Sequence, residues 1–139
     1  MRTLLAFPLL ALMACAPTSP EAKVKAAFDA CVKGVEEGDA GAVMERLDSS
    51  FRGPEGMDRS GAKLYLMAVL RREKIGVTVL SSRIEVQRNS ALQTVEVLLT
   101  SRNGSGLLPQ DASRRTFQLR WEATQEVWRL REIQDQTVP

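Results

Sequence analysis

The sequence predicts one α+β domain in which three N-terminal helices pack on a curved, four-stranded antiparallel sheet. Up to Leu70 the apolar residues recur every three or four positions, as they do along one face of a helix. After Gly76 they alternate with polar residues, as they do in a strand with one buried face. Helices that all precede the strands, instead of alternating with them, are typical of the α+β class.

The first predicted helix follows Ser19 and ends at about Glu37. Ser19 suits the N-cap, and Pro20 suits the first helical position because its missing N–H is not needed there. Gly38 supplies the C-terminal stop. We interpret Cys31 as a small buried hydrophobe, since it lies within the apolar stripe of this helix. The stripe consists of Val24, Ala27, Phe28, Cys31, Val32 and Val35.

Two shorter helices are predicted next. Asp39 is the expected N-cap of a second helix over residues 40–47, and Asp58 or Ser60 is the expected N-cap of a third helix. The third helix is apolar around much of its circumference, so we expect it to be well covered by the rest of the domain. Its apolar residues are Leu64, Tyr65, Leu66, Met67, Val69 and Leu70.

Four β-branched or aromatic runs, separated by turn residues, predict the antiparallel sheet. In the last run Trp128 and Leu130 share a face but Ile133 falls out of phase, which predicts a bulge or fraying near Glu132. The four runs cover residues 77–86, 92–101, 115–123 and 127–133.

The start of the chain is typical of an export signal. Met1-Arg2 is followed by "LLAFPLLALMA", an apolar run from Leu4 to Ala14 that is too short to span a bilayer. We therefore expect residues 1–14 to be a cleaved signal peptide, residues 15–20 to form a short tether, and residues 21–139 to form the domain.

The end of this run, Leu12-Met13-Ala14-Cys15, resembles a lipobox, the bacterial lipoprotein signal. The resemblance implies cleavage between Ala14 and Cys15 and a diacylglycerol on the Cys15 thiol, which anchors the protein to a membrane. Because the second mature residue is Ala16 and not Asp, the resemblance implies the outer membrane of a Gram-negative-type envelope, with the domain facing the periplasm. The alternative is that Cys15 is a buried thiol or pairs with Cys31.

Composition excludes several function classes. The chain has no His, which removes Ser-His-Asp and Cys-His arrangements, and its two cysteines disfavour a zinc site, so we predict no metal and no cofactor. Its net charge is +2, and +1 once Arg2 is removed, which argues against nucleic-acid binding. The pairs Arg71-Arg72 and Arg114-Arg115 are either solvated faces or contacts to anionic lipid near the anchor.

Two longer segments resemble nuclear-transport-factor-2-like (SnoaL-like) proteins. "FDACVKGVEEGDAGAVMERLDSSF" (residues 28–51) is similar to the opening helix pair of that superfamily, and "RWEATQEVWRLREIQ" (residues 120–134) is similar to its final hairpin. The resemblance implies a cone-shaped α+β roll, often with a pocket at its wide end. It implies no single activity, because the superfamily contains isomerases, dehydratases, epoxide hydrolases, transport factors and non-catalytic accessory domains.

No residue is predicted to be catalytic, but five side chains are candidates for lining the pocket. An acid in such a pocket, together with the only tyrosine, could carry carboxylate-based chemistry if burial raised the pKa of the acid. The alternative is structural: the tyrosine packs its ring, the acids close turns or point outward, and the tryptophans belong to the core. The candidates are Asp48, Tyr65, Trp121, Trp128 and Glu132.

Three function hypotheses remain. The first is a lipid-anchored, non-catalytic binding or accessory domain that recognises a small apolar ligand or a partner protein of the envelope. The second is a small-molecule isomerase or hydrolase that uses a pocket carboxylate and Tyr65. The third is a structural homodimer joined through the sheet.

Overall fold

The computed structural model of the chain describes residues 19–101, 106–107 and 114–137. The predicted signal peptide and Cys15 lie outside the described residues. None of the helices within these ranges is long and apolar enough to cross a membrane.

Three α-helices form at the predicted places: α1 spans Pro20–Glu37, α2 spans Ala40–Met44 and α3 spans Arg59–Arg72. The prediction for the start of α1 is confirmed, since Ser19 Oγ accepts a hydrogen bond from the Ala22 amide at 3.1 Å. The prediction that Gly38 stops α1 is also confirmed.

Side-chain caps and one glycine fix the remaining helix boundaries. Gly38 has a φ of 70°, a left-handed conformation that glycine adopts without strain. Asp39 accepts from the Ala42 amide at 3.0 Å at the start of α2, and Asp58 accepts from the Gly61 amide at 2.8 Å at the start of α3. Local side-chain chemistry therefore sets these helix starts, as the sequence predicted.

The described strands form one sheet in the order β1-β6-β5-β3-β2, and β4 pairs only with β3. All pairs are antiparallel except β1 with β6, which is parallel. The strands are β1 (Leu47–Arg52), β2 (Ile75–Gln87), β3 (Ser90–Ser101), β4 (Gly106–Leu107), β5 (Arg114–Thr124) and β6 (Val127–Asp135).

The prediction of four antiparallel strands is corrected at β1. The second helix was predicted to continue to Leu47, but it ends at Met44, and the chain then runs as a strand in which Leu47 pairs with Leu130. Leu47 fits the apolar spacing of α2, yet it is buried as the first residue of a strand. The sheet is therefore mixed and wider than predicted, while the α+β class is confirmed.

The core lies between α1, α2 and the concave face of the sheet. α1 packs across β2 and α2, so its apolar stripe faces the strands. The core residues from the helices and β1 are Val24, Ala27, Phe28, Met44, Leu47, Phe51 and Ala62, and those from β3, β5 and β6 are Ala91, Val95, Val97, Leu119, Trp121, Trp128 and Leu130.

The prediction that α3 is well covered is wrong. Ala62 is its only buried residue, and α3 packs mainly against α2 and β1 instead of against the centre of the sheet. Leu64 is 71% exposed and Tyr65 is 59% exposed. Some apolar side chains of α3 therefore contact the domain, while others, including Leu64 and Tyr65, lie at the surface.

Several contacts define one end of the domain, which we call the Ser19 end because α1 begins there. Lys23 in the first turn of α1 forms an ion pair with Glu126 in the β5–β6 turn, at 3.8 Å. The Ala123 amide donates to the Asn89 carbonyl at 2.8 Å, so the β2–β3 turn lies at this end too. The other end of the domain holds the last turn of α1 and the starts of β2 and β5, which both pair with the last residues of β3.

Candidate functional site

Side chains fill the space between the helices and the concave face of the sheet. Trp121 of β5, Val95 of β3 and Val24 of α1 are all 0% exposed. Trp128 and Leu130 of β6 are also buried against them. In the part of the chain that the structure describes, buried side chains occupy the interior of the cone as a core.

One chain of hydrogen bonds leads from this apolar interior to an exposed residue of β2. The buried Trp121 indole N–H donates to Gln93 Oε1 at 3.0 Å, and Gln93 Nε2 donates to Ser82 Oγ at 3.1 Å. These three residues come from β5, β3 and β2, so the chain crosses three neighbouring strands. Among the described residues every buried side-chain nitrogen and oxygen has a hydrogen-bond partner. No uncompensated polar group in this interior calls for a ligand.

The five predicted pocket residues do not come together. Tyr65 projects from the exposed side of α3, whereas Trp121 and Trp128 belong to the core. Asp48 lies near the start of β1 and accepts a hydrogen bond from the Ser50 amide at 2.8 Å, which closes a local turn.

Glu132 lies on the other face of the sheet, because the bulge anticipated near it exists. Trp121 pairs with Leu130 but the next pair is Arg120 with Glu132, so Arg131 is the extra residue. The bulge restores Ile133 to the core-facing side, and it turns Glu132 to the outer face, where its carboxylate accepts from Gln134 Nε2 at 2.6 Å. The alternation that would place Glu132 beside Trp128 therefore does not hold.

A basic depression of about 960 Å³ opens at the Ser19 end, between the start of β1, the start of α3 and the β5–β6 hairpin. We call it the arginine depression, since three arginines border it. Its lining residues are Glu45, Arg46, Leu47, Asp48, Ser49, Arg59, Ser60, Thr124, Val127 and Arg129.

The three arginines differ in how they are held. Arg59 Nη2 donates to the Met44 carbonyl at 3.0 Å. This contact holds the guanidinium of Arg59 in place but does not neutralise its positive charge. The side chains of Arg46 and Arg129 make no hydrogen bond or ion pair with any residue in the described ranges. Three guanidinium groups thus border one depression without a carboxylate bound to them.

A second open depression, of about 760 Å³, lies beside the β2–β3 turn. Its acid is already paired, since Glu122 accepts from Arg131 Nη1 at 2.8 Å. It is bordered by Gln87, Arg88, Asn89, Ser90, Glu122 and Ala123.

Cys31 is the one free cysteine in the described residues, and its surroundings make it a poor nucleophile. Burial raises the pKa of its thiol to about 11, and the nearby positive charge of Arg46 lowers it only in part. At neutral pH the sulfur is therefore protonated, which agrees with its predicted role as a packed hydrophobe.

The described residues contain no group of three or more His, Cys, Asp and Glu side chains arranged to hold a metal ion. Sequence reasoning missed the arginine depression, because its arginines are far apart in the sequence and lie in the α2–β1 turn, in α3 and in β6. Arg46, Arg59 and Arg129 have no common spacing, and only the parallel pairing of β1 with β6 brings the first and the last together.

The architecture matches solved structures. An uncharacterised protein with a cystatin-like fold from Caulobacter vibrioides superposes with a TM-score of 0.71 at 15% identity, covering 86% of this chain and 90% of that one. An NTF2-like protein with a cystatin-like fold from Novosphingobium aromaticivorans gives 0.68 at 10% identity, with 84% and 80% covered. The chain has the NTF2-like fold. No family model and no curated protein matches its sequence.

An NTF2-like protein from Cytophaga hutchinsonii also superposes, with a TM-score of 0.65 at 11% identity over 86% of this chain and 99% of that one. At such identities the likeness shows the fold alone, and an NTF2-like fold hosts unrelated functions. What this domain does must therefore be argued from its own surfaces.

Proposed function

We propose that this chain is a lipid-anchored protein of the bacterial cell envelope whose NTF2-like domain is a non-catalytic accessory module. In this proposal Cys15 carries the lipid, the protein resides in the outer membrane and the domain faces the periplasm. The domain acts by binding a partner protein through the exposed side of α3.

The observation that carries this proposal is the contrast between the interior and α3. The interior of the cone is occupied by Trp121 and its neighbours, so a small apolar ligand would have to displace packed core. By contrast, Leu64 and Tyr65 present adjacent apolar side chains to solvent. Exposed aromatic and aliphatic residues at one place are typical of protein interaction surfaces.

The enzyme hypothesis has less support. Carboxylate-based catalysis needs an acid whose pKa burial has raised, placed within hydrogen-bond reach of the reacting group. Asp48 is partly exposed and accepts from a local amide, while Glu132 lies on the outer face of the sheet. Tyr65 borders neither of the two depressions described above.

The hypothesis of a homodimer through the sheet also has less support. The outer face of β3, β5 and β6 carries charged and polar residues, which would have to be desolvated in such an interface. They include Thr94, Glu96, Gln118, Arg120 and Glu132, placed on that face by the strand register.

Native mass spectrometry of the protein extracted gently from its own membranes tests the proposal. We expect a mass increase at Cys15 equal to two or three acyl chains, and a complex that contains a second protein. The variant Leu64→Glu/Tyr65→Glu should fold normally, because both sites are exposed, and should lose that protein. A bare monomer with an unmodified Cys15 would overturn the proposal.

A matched variant separates the remaining alternatives. Thr78→Glu/Thr94→Glu introduces the same two charges at exposed positions of the sheet. If this variant breaks a complex of two identical chains while the α3 variant does not, the sheet is the interface. A retained small molecule in place of a protein would assign the domain to ligand binding.

A further inference from the structure

The arginine depression carries an inference about how the domain sits relative to its anchor. It concentrates three guanidinium groups, from Arg46, Arg59 and Arg129, with the hydroxyl groups of Ser49 and Thr124 beside them. Guanidinium groups recognise phosphate through paired hydrogen bonds, and hydroxyl groups add further donors. The donor set therefore fits a phosphate group.

The acids that border the depression leave the arginines available. The Asp48 carboxylate accepts from the Ser50 amide, and Glu45 is exposed and forms no ion pair with a described residue. Neither acid lies within ion-pair distance of Arg46 or Arg129 in the described structure. An anionic group that enters the depression would therefore not have to break an existing ion pair.

The depression lies where the proposed lipid anchor would hold it to a membrane. Val127 at its border belongs to the β5–β6 hairpin, whose Glu126 is ion-paired with Lys23 one helical turn from Ser19. Four peptide steps join Cys15 to Ser19, which span at most about 14 Å. An acylated Cys15 thus forces the Ser19 end, and with it the depression, close to the lipid headgroups.

The rim of the depression suits a membrane surface as well. Val127 is an exposed apolar residue beside the arginines, at 44% exposure. Apolar side chains flanked by basic ones are typical of protein surfaces that rest in the headgroup region. Arg88 in the neighbouring β2–β3 turn adds one more exposed positive charge at the Ser19 end.

The arginine pairs that the sequence suggested for this role lie elsewhere. Arg71 and Arg72 end α3 just before β2 begins, at the end of the domain opposite Ser19. Arg114 and Arg115 begin β5 at that same end, and they are paired with Glu96 at 2.6 Å and Asp135 at 3.2 Å. The arginines placed to contact lipid are therefore Arg46, Arg59 and Arg129, which the folded structure brings together, and not the two adjacent pairs.

We propose that the arginine depression binds the phosphate of an anionic phospholipid headgroup in the membrane to which the chain is tethered. The inference rests on the proposed lipid anchor at Cys15. Docking holds the Ser19 end against the bilayer and presents α3 and the far end of the domain to the surroundings. Each arginine adds to the attraction, and the interaction weakens with salt over about a Debye length.

The test uses the acylated protein in vesicles of phosphatidylcholine with or without one quarter phosphatidylglycerol. A fluorophore on Asn89→Cys, in the β2–β3 turn, reports approach of the Ser19 end to a quencher carried by the headgroups. We expect the quenching to be clearly stronger with phosphatidylglycerol than without it. The variant Arg46→Gln/Arg129→Gln should lower the ratio of docked to undocked protein by about tenfold or more.

The control variant Arg71→Gln/Lys74→Gln also removes two positive charges, but at exposed positions of the opposite end. It should stay within about twofold of the parent, since its charges lie beyond a Debye length from the bilayer. Equal losses in both variants, or no loss in the Arg46→Gln/Arg129→Gln variant, would overturn the inference.

Further measurements distinguish the possible sources of phosphate, and they distinguish this inference from the proposed lipid anchor. If inorganic phosphate abolishes docking at matched ionic strength, the depression binds a free anion. If docking requires a protease-sensitive component of native membranes, the depression binds a protein. Intact mass of the same preparation reports the acyl chains. If the protein is acylated but its docking does not depend on phosphatidylglycerol, this inference alone is refuted. If the protein is not acylated, the proposed anchor is refuted.

Discussion

Gln93 is the residue on which the specificity of the interior depends. It is fully buried on the core-facing side of β3, between the apolar residues Ala91 and Val95. A buried amide is stabilising only when its hydrogen bonds are made, and here both are made, to Trp121 and to Ser82. Since these partners lie on the two neighbouring strands, Gln93 fixes the lateral register of β5, β3 and β2 together.

Replacing Gln93 by Leu should therefore destabilise the domain although it makes the interior more apolar. The Trp121 N–H would remain buried without an acceptor, which costs about 1–3 kcal/mol of unfolding free energy. Chemical denaturation monitored by tryptophan fluorescence measures the change. The same substitution at the exposed Gln87 should alter the unfolding free energy by less than about 0.5 kcal/mol. An equal effect at both positions would contradict the role given to Gln93.

Cys31 should resist alkylation in the folded protein. Because burial raises the pKa of its thiol from 9.0 to about 11, the thiolate fraction at pH 8 is about a hundredfold lower than in the unfolded chain. The protonated thiol stabilises the fold up to about pH 9, and this contribution is lost as the pH rises through about 11. The rate of reaction with iodoacetamide in a Cys15→Ser variant, with and without denaturant, checks the expectation. Equal rates would contradict it.

Local chemistry made some residues predictable and others not. Ser19, Gly38 and Asp39 were assigned correctly because a cap interacts with amides only three or four positions away. The bond between Trp121 and Gln93 joins residues 28 positions apart, so no sequence spacing reveals it. The same holds for the arginine depression.

At the scale of elements, the close approach of α1 and α2 depends on Gly34. A Cβ at this position would lie 2.9 Å from Val43 Cγ2 and 3.3 Å from the Asp39 carbonyl oxygen. The first distance is too short for two carbon atoms, so the helices must separate or Val43 must move. Gly41, in α2, has only the Asp39 carboxylate near, at 3.4 Å.

These two glycines give a matched pair of substitutions. Gly34→Ala should destabilise the domain by about 1–3 kcal/mol, since overpacking outweighs the gain in helix propensity. Gly41→Ala should leave it unchanged or stabilise it by up to about 1 kcal/mol, because it gains propensity without a clash. Thermal unfolding of both variants measures the difference. Stabilisation by Gly34→Ala would show that α1 and α2 do not pack closely.

Periodicity predicted α1 and four of the strands well, because each has a long run with one buried face. It failed at β1, whose sequence "LDSSFR" has only two apolar residues and follows directly on an apolar helix. It also failed on the cover of α3, since an apolar circumference cannot show whether a helix faces its own domain or a partner. Both failures concern tertiary contacts between elements, which the periodicity of a single element does not show.

At the scale of the whole molecule, two sets of arginines differ in their ion pairing. The arginines at the starting end of β5 are ion-paired, whereas Arg46 and Arg129 at the Ser19 end have no ion-pair partner in the described structure. Unpaired charges can act on a surface outside the molecule, while exposed ion pairs contribute little to stability.

Salt should therefore affect docking and folding differently. Raising the ionic strength from about 0.05 M to about 0.5 M should shorten the Debye length to a few ångströms and release the arginine depression from the anionic headgroups of the vesicles. The unfolding free energy should change by less than about 1 kcal/mol, because most of the described ion pairs have at least one exposed partner. Vesicle quenching and thermal unfolding over the same salt series compare the two. A parallel loss of both would contradict this division of charge.

The parallel pairing of β1 with β6 has a consequence for biosynthesis. β1 is made early, but among the described strands it pairs only with β6, about 80 residues later. Until residues 127–135 have been made, Leu47 and Phe51 have no sheet to cover, so a growing polypeptide that lacks them cannot complete this structure. A product shortened by frameshift before β6 would lack the strand that pairs with β1. It would be incompletely folded and therefore a substrate for the quality-control proteases of the cell.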